Sequence, residues 1–385
     1  MGGSNESDGL ELLEPMEEPE ELESVDDAEA SDAPGAADAP GRGVAGATGA
    51  ALLEIGAARS LVSSYELLPS PMAILDLNLN FAYRNEPFDT VLRLFEYAVR
   101  PSFVATFSRC LEDKDVSSLL KDLKNPSKGY SWKGTIKHHA KYAGSMLTKA
   151  HVFPFKPDEL EGHPPLGYVV YLDDVTDENK YFLRGMFSSL LQASKLKDND
   201  TGKHIERVNH YSHVMAAAMY GDARWPSVDV DFVENIGFLA AMHDVGKIGT
   251  PDDILNKKGP LNEFEWGIMK EHTINGAFIL SSYPDPMAKQ IAQSHHEWWN
   301  GTGYPYHLVG EMIPLPARIV ALADVYDALR MKRSYKEPFD HKRAALLISA
   351  DRGTHFDPEL ISVFEELQDD FERIYAENKD EITAS

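Results

Sequence analysis

The side chains best equipped for chemistry are His243 and Asp244, in the run Ala241-Met242-His243-Asp244-Val245-Gly246-Lys247. His204, His272, the adjacent pair His295-His296 and Asp324 join them to make a set of imidazoles and carboxylates suited to two or more divalent cations. The apolar helical run Ile236, Leu239 and Ala240 precedes His243, and Gly246 follows, so the pair sits at a helix end. Neighbouring side chains diverge there, and one carboxylate can lie between two ions. Water between such cations gives up a proton readily and becomes a nucleophile for phosphorus. A lone buried histidine is more often a hydrogen-bonded core residue. Five of them with two acids would each need a polar partner if nothing bound them.

The elements that must carry these residues are helical from Asp198 almost to the end. Apolar spacing marks helices over His204–Met219, Asp231–His243, Glu263–Ser282, Pro286–His296, Pro314–Ala328, His341–Ala350 and Pro358–Tyr375. An all-α bundle with inward-facing ligands is the economical architecture. The first half reads differently. Met72–Asn85 predicts two short strands around an Asp/Asn turn, Pro87–Leu120 is helical, and Tyr130–Ile136, Ser145–Phe155 and Gly167–Asp173 predict three more strands. This order, closed by Asp174-Val175-Thr176-Asp177-Glu178, resembles a PAS sensor domain. PAS domains hold haem, flavin or other small molecules, but no residue here identifies a ligand. His138 and His139, beside Lys137 and Lys141, read as a polar hairpin edge, and Cys110 as a small packed residue. Leu183, Phe187, Leu190 and Ser194 recur with the spacing of a short coiled-coil seam, which favours a parallel homodimer over packing on the chain's own domain.

The ordered motifs of the second half identify a family resemblance. His243-Asp244-x-Gly-Lys247, His295-His296-Glu297-x-x-Asn300-Gly301-x-Gly303-Tyr304-Pro305 and Ala323-Asp324-Val325-Tyr326-Asp327-Ala328-Leu329 resemble the HD-GYP domain, a branch of the HD superfamily that cleaves cyclic di-GMP. The resemblance covers residues 198–370. It implies that His204, His243, Asp244 and Asp324 ligate one metal, and Asp244, His272, His295 and His296 a second, with Asp244 bridging. A third ion in some members lies near a Glu four residues before the first His; Asp200 stands there, one methylene shorter. Lys247 would lie by the scissile phosphate, and Tyr304, Arg333 and Lys336 would grip the ligand's phosphates. The resemblance favours iron or manganese, while a sulfur-free set also suits zinc, nickel or cobalt. Glu297 reads as an orienter of the ligating imidazoles. Arg330 and Met331 depart from the small polar residues common in the family.

Composition bounds the rest. Residues 1–40 hold fourteen Asp and Glu and no Lys or Arg, so the remainder carries only -11 of the net charge of -25. That segment reads as a disordered acidic tail and argues against nucleic acid or anionic membrane as partner. One cysteine excludes a disulfide framework and a thiolate site. With no apolar run of spanning length or signal-like start, a soluble cytoplasmic protein is expected. The expected fold class is α+β multidomain: an acidic tail (1–50), a PAS-like α/β sensor (51–176), a connecting helix (177–199), an all-α HD-type bundle (200–375) and a C-terminal tail (376–385). The expected function is cyclic di-GMP hydrolysis to pGpG and onward to GMP. The rivals are a non-hydrolytic cyclic di-GMP receptor and an HD phosphohydrolase acting on another nucleotide.

Overall fold

A computed structural model describes residues 62–140, 144–155, 165–197, 202–331 and 338–379. The acidic tail, most of the helical stretch expected over Ala51–Leu68, Asp200, Arg333, Lys336 and the last residues lie outside them.

The alternating runs of the first half build one five-stranded antiparallel sheet of order β2-β1-β5-β4-β3. Its strands are β1 (Met72–Leu75), β2 (Phe81–Arg84), β3 (Trp132–Ala140), β4 (Gly144–Phe155) and β5 (Gly167–Asp174). The β1–β2 turn is the expected Asp/Asn turn: Asp76 Oδ1 accepts from the backbone N–H of Asn78 and Asn80, both at 2.8 Å. Helices α1 (Glu86–Leu94), α2 (Phe103–Thr106) and α3 (Asp113–Asp122) cover one face. Asn85 caps α1 through Phe88 N at 3.1 Å, and it also receives Met72 N at 2.9 Å. Phe81, Phe88, Phe103 and Phe107 fill the space beneath with edge-to-face or tilted rings 4.9–6.3 Å apart. Each such pair adds about 0.5–1.5 kcal/mol beyond its burial. This is the PAS-like arrangement the strand order implied.

The Asp-Val-Thr ending has a physical role. Thr176 Oγ1 accepts from Leu147 N, and Val175 N donates to Leu147 O, both at 2.9 Å, which pins the sheet to the next helix. That helix, α4 (Thr176–Lys195), corrects the coiled-coil reading. Phe187 and Ser194 are buried, and Phe187, Leu190 and Leu191 pack into the core of the chain's own helical half. The Phe187 ring lies tilted against that of Tyr283, their centres 4.1 Å apart. The seam is therefore already used within the chain, while Tyr181, Phe182 and Met186 on other faces are exposed.

The second half is the expected helical bundle. It comprises α5 (Gly202–Met219), α6 (Val230–Leu239), α7 (Asp252–Leu255), α8 (Glu263–Lys270), α9 (His272–Ile279), α10 (Pro286–Ser294), α11 (Leu315–Arg330), α12 (His341–Ala350), α13 (Pro358–Glu366) and α14 (Gln368–Glu377). The single helix expected over Glu263–Ser282 is divided at Glu271, which places His272 at the start of α9. At the centre, the buried rings of Tyr211, Tyr326 and Phe371 meet, Tyr211 stacked on Phe371 at 4.6 Å. Arg330, which departs from the family pattern, is part of the bundle's internal network. It is buried, donates to Tyr326 Oη at 2.8 Å, pairs with Glu372 and lies 4.1 Å over the Tyr375 ring. It fastens α11 to α14.

Candidate metal centre

Five segments of chain deliver the ligand atoms. Helix α6 passes into a 3₁₀ turn (Ala240–Met242), and His243 and Asp244 follow at the break. A second 3₁₀ turn (Val245–Gly249) carries Lys247. Gly246 is required because α9 comes so close: a Cβ there would sit 1.8 Å from His272 O. His272 opens α9, His295 caps the end of α10, and Asp324 lies within α11. His204 comes from α5.

These residues form two adjoining groups with mutually close ligand atoms: Asp244, His272, His295 and His296 in one, and His204, His243 and Asp324 in the other. Asp244 lies between them. Its Oδ2 is 3.2 Å from His243 Nε2, and its Oδ1 is 3.4 Å from His272 Nε2 and 3.8 Å from His295 Nε2. Asp324 Oδ1 is 3.5 Å from His204 Nε2 and 3.9 Å from His243 Nε2. His204, His243, His272 and His295 form a buried floor with His296 half-buried beside it, while Asp244, Asp324 and Lys247 stay about one-fifth exposed (22%, 20% and 21%). The opening to solvent is thus lined by charge.

Hydrogen bonds on the far side of each ring decide which nitrogen faces inward. Nδ1 of His243 donates to Ala240 O at 2.8 Å, that of His272 to Met269 O at 2.7 Å, and that of His295 to Ile291 O at 3.1 Å. His204 Nδ1 donates to Asp327 Oδ2 at 2.8 Å. A neutral ring that donates from Nδ1 presents a lone pair at Nε2. Nε2 of His243, His272 and His295 and Oδ1 of Asp244 are buried and have no hydrogen-bond partner. Buried acceptors left facing one another are costly unless a cation satisfies them, so the donor set fits divalent metal.

Electrostatics separates the two groups. Burial holds His272 and His295 below the usual histidine range and pushes His296 down to about 3, keeping these rings neutral. Burial also opposes charging of His243, but Asp244 and Asp324 outweigh it and push the ring up to about 9, so a cation bound there takes the place of the Nε2 proton. For Asp244, burial works against the charge, while Lys247, His243 and His272 hold the carboxyl well below its usual range. Lys247 Nζ stands 2.8 Å from Asp244 Oδ2.

Tyr304 stacks on His296 at 4.8 Å, and Lys270 Nζ lies 5.1 Å from the centre of its ring. The loop that carries it has no room for a side chain at Gly303, where a Cβ would meet Trp298 N at 2.2 Å. Glu297 does not orient imidazoles as expected. Helix α10 has ended, and the turned backbone aims its carboxylate at that loop, where it accepts from Tyr306 N at 2.7 Å and Leu308 N at 3.1 Å. Trp298 stacks on His355 at 4.2 Å while staying 40% exposed.

Two residues carry unexpected weight. Asp327, fully buried, orients His204 and pairs with buried Arg207 at 2.7 Å (Nε to Oδ1). The signal was present in the spacing, since His204/Arg207 and Asp324/Asp327 are each three apart and share a helix face. Asp200, Arg333 and Lys336 lie outside the described residues, so their expected places beside this centre are not seen.

Comparison with known proteins follows this geometry. Residues 203–360 match the HD domain family. A protein of Vibrio cholerae named cyclic di-GMP phosphodiesterase is 41% identical over 202 residues, 50% of this chain and 41% of the relative. A 3'3'-cGAMP-specific phosphodiesterase 2 of the same organism is 40% identical over 191 residues, 49% of this chain and 35% of the relative. A cyclic di-GMP phosphodiesterase of Thermotoga maritima is 38% identical over 210 residues, 54% of this chain and 55% of the relative. The chain thus spans about half, or less, of the length of these curated relatives.

Proposed function

We propose that this chain, whose residues 203–360 form an HD domain behind a PAS-like sheet, hydrolyses cyclic di-GMP to linear pGpG, with GMP after a second cut. The observation that carries this reading is the ring of buried, unpartnered acceptors on His243, His272, His295 and Asp244. In it, His204, His243, Asp244 and Asp324 hold one divalent cation, and Asp244, His272, His295 and His296 hold a second, with Asp244 shared. Two such cations, when bound, supply positive charge for the phosphoryl oxygens and a more acidic water. The remaining work falls to the chain. Lys247, at the charged mouth, neutralises the scissile phosphate or protonates the leaving 3′ oxygen. Tyr304, braced on His296 beneath Lys270, offers its hydroxyl to a phosphate. Arg333 and Lys336 grip the ligand's phosphates in this reading, and Asp200 belongs to a third ion. Iron or manganese is the metal proposed, ahead of zinc, nickel and cobalt.

The PAS-like sheet is the proposed sensor of an unnamed ligand, regulating the bundle through α4. A homodimer also belongs to this reading, now through the exposed Tyr181, Phe182 and Met186 rather than the buried seam. A cytoplasmic setting accords with the finding that no described helix is long and apolar enough to cross a membrane.

A second reading, hydrolysis of 3'3'-cGAMP, is favoured by a relative of that specificity nearly as similar as those named for cyclic di-GMP. One substrate panel tests both. Metal-loaded protein should convert cyclic di-GMP fastest. Preference for 3'3'-cGAMP would move the substrate, and tight binding without turnover would make the chain a receptor.

A further inference from the structure

A cavity of about 510 Å³ lies where the β3–β4 hairpin, the first turns of α4 and the bundle around α6 and α10 meet. Among the described residues, none of the candidate cation ligands lines it. Small-molecule sites run from about 300 to 1,000 Å³ with mostly apolar walls. Here the walls are Met146 and Leu183 on one side and Phe232, Phe238 and Tyr283 on the other.

The charges around it indicate what it would take. Two of its three acids are engaged as helix caps. Asp229 caps α6, accepting from Phe232 N at 2.8 Å, and lies 3.5 Å from His139. Asp231 is 3.4 Å from the same imidazole. Asp285 caps α10, accepting from Met287 N at 2.9 Å and from Asn235 Nδ2 at 2.8 Å. Among the cations, Lys180 pairs with Glu234 at 2.9 Å. Lys137 and Arg184 line the cavity with no carboxylate partner among the described residues. The Arg184 guanidinium lies 5.8 Å from the centre of the Phe238 ring.

We propose that this cleft binds a small organic anion with a flat apolar body, an aromatic carboxylate or an aromatic phosphate. Arg184 and Lys137 take the anionic group, and Phe238 and Tyr283 take the body. Such a ligand touches the hairpin and the bundle at once, so its binding favours whichever arrangement keeps the two together. The proposal is independent of the hydrolase reading, because its test measures binding alone.

The test titrates the full chain with the fluorescent probe 8-anilinonaphthalene-1-sulfonate. Saturable binding of one dye per chain is expected, displaced by 2-naphthoate or 2-naphthyl phosphate but not by uncharged 2-naphthol. The two displacers distinguish carboxylate from phosphate. Arg184→Gln, at an exposed position, should keep the circular dichroism of the parent and weaken binding by about tenfold or more. Met146→Trp should fill the cavity and abolish binding. The proposal is overturned if no saturable binding occurs, if both variants bind as the parent does, or if 2-naphthol competes as well as the anions.

Discussion

Two regions of this molecule bury histidine, and they do so in opposite ways. In the PAS-like sheet, His138 has no exposed surface, and both ring nitrogens are satisfied, Nδ1 with Tyr97 Oη and Nε2 with Thr148 Oγ1, each at 2.8 Å. Tyr97 continues the chain to Cys110 Sγ at 3.1 Å, and the rings of Phe95 and Phe107 close round it. The polar hairpin edge expected for His138 is thus corrected to a closed core network. In the helical bundle, each of His243, His272 and His295 satisfies Nδ1 on its own backbone and leaves Nε2 unpaired toward a shared point. Burial alone therefore says little about a histidine. What separates structural from ligating rings is whether the second nitrogen has a partner.

The contrast can be broken most severely at Asp244, whose Oδ2 faces His243 and whose Oδ1 faces His272 and His295. Asp244→Ala should lower turnover roughly 10⁴-fold, because in the proposed centre both cations lose a ligand together. Turnover near that of the parent would separate hydrolysis from this cluster. Lys247→Ala touches the mouth and not the floor. Turnover should fall roughly 10²–10³-fold while metal content stays close to the parent's; parallel loss of metal would make Lys247 a support of Asp244 instead.

Smaller effects sharpen the comparison. Asp327→Asn removes the anion that orients His204 and pairs with Arg207, so metal affinity should fall about 10–100-fold, read by competition with a chelator. An unchanged affinity would show that His204 needs no orientation or binds no metal. In the sheet, burial pushes His138 down to about 4 from an ordinary 6.5. The unfolded ring therefore binds a proton at a higher pH than the folded one. Stability from the neutral ring is complete above 6.5 and is lost as pH falls through the window from 6.5 to 4, by about 3 kcal/mol. His138→Leu should flatten that part of the difference in denaturation profiles; an equal slope in parent and variant would place the acid sensitivity elsewhere.

What was legible in the sequence follows from how local each signal is. The cation ligands stand in short motifs at helix ends, so His243, Asp244, His295 and His296 could be read from neighbours. The strand order was equally readable, because alternation fixes which face is buried. That same alternation could have placed His138 inward, since it shares a face of β3 with buried Trp132 and Ile136. Its flanking lysines drew attention to the wrong face. The seam of α4 was visible as a pattern, but two heptads carry no information about whether the partner is another chain or the bundle beside it. Glu297 misled through adjacency to His295 and His296: once α10 stops at Ser294, sequence neighbours no longer point the same way. Arg207 with Asp327 is a pairing across 120 residues: the matching three-residue spacings place each beside a ligand, but folding is what brings the two together.

Metal stoichiometry bears on the centre most directly. Protein purified without oxygen and assayed by elemental analysis should carry at least two equivalents of iron or manganese per chain, with both equivalents lost together in Asp244→Ala. A parent chain that holds no divalent metal under those conditions, or a variant that keeps its full complement, would contradict a shared cation centre at these seven side chains.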